Sequence, residues 1–349
     1  MVIDSSWNVG FLALINCTDM MVQNLSIDHN GEGILVAFST DILVQNVTVS
    51  KNSKGICITD STNCVIKDSL IFDNGHGVYL RSARFITIVN NRMEGNCWDG
   101  VTLFVSSNNT IENNRIVSRE GAVGLYLFES DYNEIESNIV SSGTCGFDID
   151  FSEHNMVVGN TISENWTAVA LDCGTCDNEF LNNVVSKNHY VVTSCESAND
   201  NVIYANNFIN NVAISYDYFG NNIWRSLNPI TYSYGGNVYI SYLGNHWSDY
   251  TGSDADGNGI GDTPYPINDD QDAYPLMEPF ENYTILEETG TVTGRVTDAA
   301  TGEGIAGATV EAQGPLVGPQ TQEPMWAQAP FSTVTDEFGN YTLEFPEGA

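Results

Sequence analysis

The chain has 349 residues, with 45 Asp and Glu against 11 Lys and Arg, a formal charge of -34 at pH 7. That balance excludes ordinary nucleic-acid binding, which needs cations clustered against phosphate, and it disfavours docking on anionic membranes. Hydrophobic residues at 42% and aromatics at 11% are too plentiful for a disordered acidic chain, and no apolar run reaches the roughly 18 residues of a membrane span.

Met1 leads into Val-Ile-Asp rather than into a signal-peptide pattern. The expectation from this start is that a leader was removed or that this is a piece of a longer chain. Residues 1–225 hold 26 acids and 10 bases; the remainder holds 19 acids and one base, Arg295. None of the ten prolines precedes Pro229, as expected of backbone committed to hydrogen-bonded ladders. The expected parts are a repeat domain over 1–228, an acidic cap over 229–285 and a separate module over 286–349.

The first part repeats. Gly-apolar-x-apolar recurs at Gly33, Gly55, Gly77, Gly100, Gly124 and Gly146, then in weaker form at Ala168 and Tyr190. Successive anchors lie 22, 22, 23, 24, 22, 22 and 22 residues apart. Midway through each unit sits an Asn or Asp, at Asn24, Asn46, Asp68, Asn91, Asn114, Asn138, Asn160, Asn183 and Asn207. Each unit holds short period-2 strands between Gly, Asn and Ser turns, and no helical pattern. Such a unit cannot bury its apolar face alone. Stacking buries it, each strand pairing with its equivalent one repeat away, at ~4.8 Å, while Asn side chains ladder along the turns. The leucine-rich consensus is absent, and a propeller needs units near 40 residues. The spacing predicts an all-β fold, a right-handed parallel β-helix of about ten coils, with a C-terminal β-sandwich module.

These coils resemble the parallel β-helix repeats of the NosD-like and carbohydrate-binding, sugar-hydrolase β-helix proteins. Gly244 to Asp262, running on to Tyr274-Pro-Leu-Met-Glu-Pro279, is similar to the block that closes such helices in archaeal cell-surface proteins. The resemblance covers residues 10 to 280 and implies a secreted or surface location, without one shared activity.

If the apolar pair of each strand faces inward, positions two and four after the anchor face out. Tyr79, Arg81, Phe104, Tyr126 and Phe128 then form a glycan-binding strip beside Asp148, Asp150 and Asp172, the candidate catalytic carboxyls. Glycosidases need two carboxyls, roughly 5 Å or 6.5–9.5 Å apart, and crowded like charges raise a pKa. Gly75-His-Gly77 is similar to a short motif of β-helical pectin hydrolases, but it lies three coils before the aspartates and no Arg-x-Lys follows.

Cys173 and Cys195 lie one coil apart, a spacing that permits a disulfide. Together with His154 and Cys176 they are alternatively a tetrahedral zinc or copper set. Asp254, Asp256 and Asn258 match the oxygen positions of an EF-hand loop, extended by Ile260 and Asp262; Asp269, Asp270 and Asp272 are candidates for the missing bidentate ligand. Calcium bound there is a structural clamp on the helix end.

After residue 286, alternating strands at Thr291–Asp298, Gly304–Ala312 and Thr333–Leu343 resemble part of a carboxypeptidase regulatory-like, transthyretin-like sandwich. They are interrupted by Gly314 to Pro330 with Met325 and Trp326. An incomplete sandwich leaves open edges that a second copy could fill by strand donation. Three functions remain open at this point. The first is a non-enzymatic secreted or surface structural protein, self-assembling and glycan-binding. The others are a polysaccharide hydrolase, lyase or epimerase, and a metal-binding protein.

Overall fold

The computed structural model describes residues 1–3, 11–29, 31–215, 221–286, 289–312 and 331–346. Gly314 to Pro330, including Met325 and Trp326, lies outside them. The described residues fall into two compact units, one of Met1–Ile230 with Ser241–Tyr283 and one of Thr231–Ile240 with Thr284–Ala349.

In the first unit the repeat closes into a parallel β-helix. Each coil contributes one strand to each of three sheets, which hold nine, ten and ten strands among the described residues. The first sheet carries the Gly-apolar-x-apolar strands, such as His76–Arg81, Asp99–Phe104, Val123–Phe128 and Cys145–Asp150. Register advances one coil per strand, so Tyr79 lies beside Thr102, Thr102 beside Tyr126 and Tyr126 beside Asp148. Alternation does the rest. Val78, Leu80, Val101, Leu103, Leu125, Leu127, Phe147 and Ile149 are all fully buried in the interior stack.

The anchor is glycine because the coil is tight there. A Cβ on Gly124 would lie 2.2 Å from Val140 Cγ1 and 2.6 Å from the Gly146 carbonyl oxygen in the next coil. Gly124→Ala therefore forces two coils apart, and we expect a loss of about 1–3 kcal/mol in chemical denaturation.

Apart from Asn207, which opens a strand one residue after the ladder, the mid-coil Asn series resolves into two neighbouring positions. Asn24, Asn46 and Asp68 sit at the corner itself with φ of 58°, 49° and 52°, and Asn90 and Asn113 continue that corner at 57° and 54°. Asn and Asp tolerate this left-handed backbone better than other side chains. Asn24 and Asn46 are consequently exposed, not buried in the ladder as their position in the repeat suggests. The ladder runs one residue later. Asn91 N–H donates to Asn114 Oδ1 at 2.9 Å, and the chain of bonds continues through Asn138, Asn160, Asn183, Asn206 and Asn245, each residue accepting from the coil before. Every rung also donates Nδ2–H to the next Oδ1, for example Asn138 to Asn160 at 3.0 Å.

The closing block ends this ladder. His246–Trp247 adds a last strand to the third sheet, beside Asn207–Ile209. Trp247 stacks under Phe208 at 4.3 Å and under Tyr265 at 4.2 Å, plugging the apolar interior. The final ladder residue, Asn245, donates its backbone N–H at 2.7 Å and its Nδ2–H at 3.3 Å to Asp272 Oδ2.

In the second unit, Ile230–Tyr234 pairs with Asn237–Ser241 and antiparallel with Thr284–Ile285. Thr289–Arg295 pairs antiparallel with Asn340–Pro346, and Thr309–Ala312 with Phe331–Val334. Among the described residues these last strands form two two-stranded sheets.

Candidate functional site

Outward side chains of the first sheet stand in three rows. The second and fourth positions after each anchor face out in the glycine-anchored coils, so Tyr79, Arg81, Phe104, Tyr126, Phe128, Asp148 and Asp150 share one face, with Tyr126 in line with Asp148 and Phe128 with Asp150. Asp172 follows one coil on, its N–H bonded to the Ile149 carbonyl at 2.8 Å. In the last coil the register differs by one. Thr167, not Ala168, lies beside Tyr190, so Val192 and Ser194 point inward and are buried; a degenerate anchor hid the shift.

The acid end is electrostatically crowded. Burial is the largest influence on Asp148 and, with the charges of Asp172, Asp150 and Asp99, pushes its carboxyl up to about 7. Its Oδ1 is buried with no hydrogen-bond partner, an arrangement that favours the protonated form. Burial raises Asp150 and Asp172 as well. The Tyr126 hydroxyl is pushed up to about 12 by burial and then by Asp148, Asp150, Asp99 and Asp172.

The aromatic strip is less open than the sequence suggests. Phe104 and Phe128 stack on each other at 5.1 Å and 10°, and Phe151 meets Phe128 edge-on at 5.9 Å. Each ring of the stacked pair gives one face to its neighbour, which limits these two as sugar platforms.

The third outward row is the residue before each glycine, and the sequence reading missed it. It carries Lys54, His76 and Asp99 in register on three successive coils. His76 Nδ1 lies 2.9 Å from Asp99 Oδ2 and 3.0 Å from Thr102 Oγ1, and the Thr102 hydroxyl donates to Asp99 at 2.7 Å. The His76 ring packs 5.0 Å from both Tyr79 and Trp98, and Lys54 sits 4.6 Å above the Tyr79 ring. Strict alternation would turn the residue before the anchor inward, with the first and third positions after it, so the period-2 pattern carried no signal for this row.

The predicted tetrahedral set does not assemble. Glu153, not His154, is opposite Cys176, so His154 falls beside Asp177 and stacks on Tyr132 at 4.9 Å. Cys176 donates to Glu153 Oε1 at 3.2 Å. Cys173 and Cys195 are free thiols, and Cys195 Sγ lies 3.3 Å from Ser197 Oγ.

The calcium candidates divide. Asp254 accepts N–H bonds from Gly257 at 2.8 Å, Asn258 at 3.1 Å and Gly259 at 2.8 Å, and Asn258 Oδ1 accepts from Ile260 at 2.7 Å. Asp256 accepts from Asn258, and Asp262 from Ser253 and Ala255, within the same loop. Asp269 and Asp270 lie at the Tyr265–Ile267/Asp270–Asp272 hairpin. Asp272 is not a loop ligand: it is fully buried at the end of the Asn ladder.

A single-chain parallel β-helix with a polar, aromatic outer sheet defines the class of this protein. Residues 7–180, and again 99–252, match the family model described as periplasmic copper-binding protein (NosD). The chain belongs to that family. No curated protein matches it. Among solved structures it is similar to the A-module of mannuronan C-5 epimerase AlgE6 of Azotobacter vinelandii, at 16% identity and a TM-score of 0.48, over 59% of this chain and 72% of that one. It is also similar to PfbA, a surface adhesin of Streptococcus pneumoniae, at 14% identity and 0.48, over 66% and 70%. Pectate lyase Pel9A gives 11% and 0.49, over 64% and 69%.

The family description names copper. Among the described residues, the one group of at least three His, Cys, Asp or Glu ligand atoms within 4.8 Å of one another is Glu153, His154 and Asp177, all exposed. One imidazole and two carboxylates lack the thiolate or thioether donors that select copper(I). Among the described residues no thiolate or thioether set fit for copper(I) assembles. No helix among the described residues is long and apolar enough to cross a membrane.

Proposed function

We propose that the chain acts on a polysaccharide laid against the outer face of the first sheet, with Asp148 as the general acid of glycosidic-bond cleavage. The observation that carries this reading is the Asp148 carboxyl, held up to about 7 beside Asp150 and Asp172. A buried carboxyl that favours its protonated form, beside a second carboxyl, is the pairing that glycoside cleavage requires. Asp148 protonates the departing glycosidic oxygen while Asp150 takes a proton from the attacking water. The two residues are two apart on one strand, about 7 Å between Cα atoms, and point to the same face.

Reducing-end release from neutral and acidic polysaccharides, with the anomeric configuration of fresh product read by NMR, tests this. Binding without release by the wild-type chain would make the face a glycan-binding surface alone and remove the acid role of Asp148. The family description supports a location outside the cytoplasm. Self-assembly by strand donation would use the edges next to Gly314–Pro330 and Pro346–Ala349, and nothing in the described residues supports it.

The Asp254–Asp262 loop is a calcium site in the same proposal, favoured by the EF-hand-like order of Asp254, Asp256, Asn258 and Asp262 along one loop. Bound calcium raises the melting temperature in proportion to the logarithm of its concentration. EGTA reverses the rise, and Asp254→Ala abolishes it. A melting temperature indifferent to calcium refutes the site.

A further inference from the structure

The rings that best fit a sugar lie at the corner entering the first sheet, away from the aromatics of the strip. Trp166 is 55% exposed. His189, one coil later, stacks on one face of its indole at 4.1 Å and 13°, and Tyr190 meets it edge-on at 5.8 Å and 83°. One coil earlier the same corner holds Gly143 and Thr144, since the Trp166 N–H bonds to the Gly143 carbonyl at 3.0 Å and the Thr167 N–H to the Thr144 carbonyl at 2.9 Å. Neither residue is large enough to cover the other indole face. That open face is turned toward the coil that carries Asp148.

The platform is rigid. Asn165, the residue before Trp166, is a buried rung of a second ladder, accepting from the Gly143 N–H at 2.9 Å and donating from its own N–H to Asn188 Oδ1 at 2.9 Å. Tyr190 N–H bonds to the Trp166 carbonyl at 2.8 Å. An exposed indole held flat from behind, on a fixed backbone, is pre-organised for stacking on an apolar sugar face.

Resting on the reading that Asp148 cleaves a glycan, we infer that Trp166, backed by His189 and flanked by Tyr190, is the stacking subsite that anchors the chain being cleaved. Trp166 lies four strand residues from Ala170, the neighbour of Asp148, roughly 13 Å along the strand. One sugar cannot touch both, so the ligand is an oligosaccharide that runs along the strands, across the helix axis. Asp150 and Asp172 on that path disfavour a polyanion, so the glycan is neutral or carries amino groups.

Cello-, chito- and galacturonate oligosaccharides, each with its monosaccharide, are titrated calorimetrically against the Asp148→Asn chain, in which cleavage is blocked. The expected result is binding of a neutral or amino oligomer but not of its monomer, weakened about 10-fold or more by an added Trp166→Ala and partly restored by Trp166→Phe. Equal affinity with and without Trp166, in a chain whose wild type still cleaves, overturns the subsite and leaves the acid role standing. Preferential binding of the galacturonate oligomer overturns the charge assignment. Failure of the wild type to bind or cleave any of the three overturns the cleavage reading and the subsite with it.

Discussion

Asp148→Asn is expected to lower polysaccharide cleavage by about 10²–10⁴, the usual contribution of a positioned general acid, while the β-helix stays folded. In the wild-type chain, cleavage falls as pH rises through about 7, because the acid is then ionised. The same substitution stabilises the protein at high pH. The folded pKa is raised above the unfolded value, so the stability this group contributes is complete below about pH 4 and declines until about pH 7. Asn mimics the neutral form and loses nothing over that range. The melting curves of the two chains converge at pH 4 and separate at pH 8, by up to about 4 kcal/mol for a shift from 3.8 to about 7. Identical pH dependence of stability in the two chains would refute the perturbed carboxyl.

The second large effect lies at the end of the helix. Asp272 receives Asn245 N–H, Asn245 Nδ2–H, Trp247 Nε1–H at 3.0 Å and Tyr274 N–H at 3.0 Å, all on one buried carboxyl. Asp272→Ala strands these donors away from water, at a cost of about 3–5 kcal/mol in urea unfolding. Asp272→Asn retains an acceptor oxygen and costs less, although its amide meets the Tyr274 N–H donor to donor. Burial outweighs these four bonds and pushes the Asp272 carboxyl up to about 6. Its contribution therefore falls as pH rises from about 4 to 6, a slope absent from the Asn variant. Protease nicking of the cap residues at neutral pH should appear first in Asp272→Ala. A chain that unfolds like wild type after this change would mean the cap is held by the Trp247 stack alone.

The coil was legible because its period is set by packing: a glycine that faces a carbonyl and a valine in adjacent strands cannot drift. Alternation likewise placed Tyr126, Asp148 and Asp150 on one face. What was lost lay where the pattern degenerates. Tyr190 occupies the residue before the anchor in its coil, and this one-residue slip turns Val192 and Ser194 inward. The same kind of slip set His154 beside Asp177 and dissolved the metal set. His76 and Asp99 escaped the pattern because alternation through the anchor glycine places the residue before it on the inward face. Asp272 looked like a calcium ligand among other acids, and only the three-dimensional path of the ladder shows that it serves amides. Trp166 carried no signal in the repeat, since corners vary freely once their backbone is held by Asn.

The Asn ladder gives the solenoid a polarity that its sheets alone would leave unmarked. Each amide passes hydrogen along in one direction, so the array behaves as a one-dimensional polymer with a hydrogen-accepting head and a hydrogen-donating tail. A new coil can be spliced between any two rungs without loss, because every rung presents the same pair of atoms on each side. It cannot be added after Asn245, where the terminating carboxylate has no hydrogen to pass on. Length in this architecture is therefore free to change by whole coils of 22 to 24 residues, while the tail is a fixed part that must travel unchanged with every longer or shorter version.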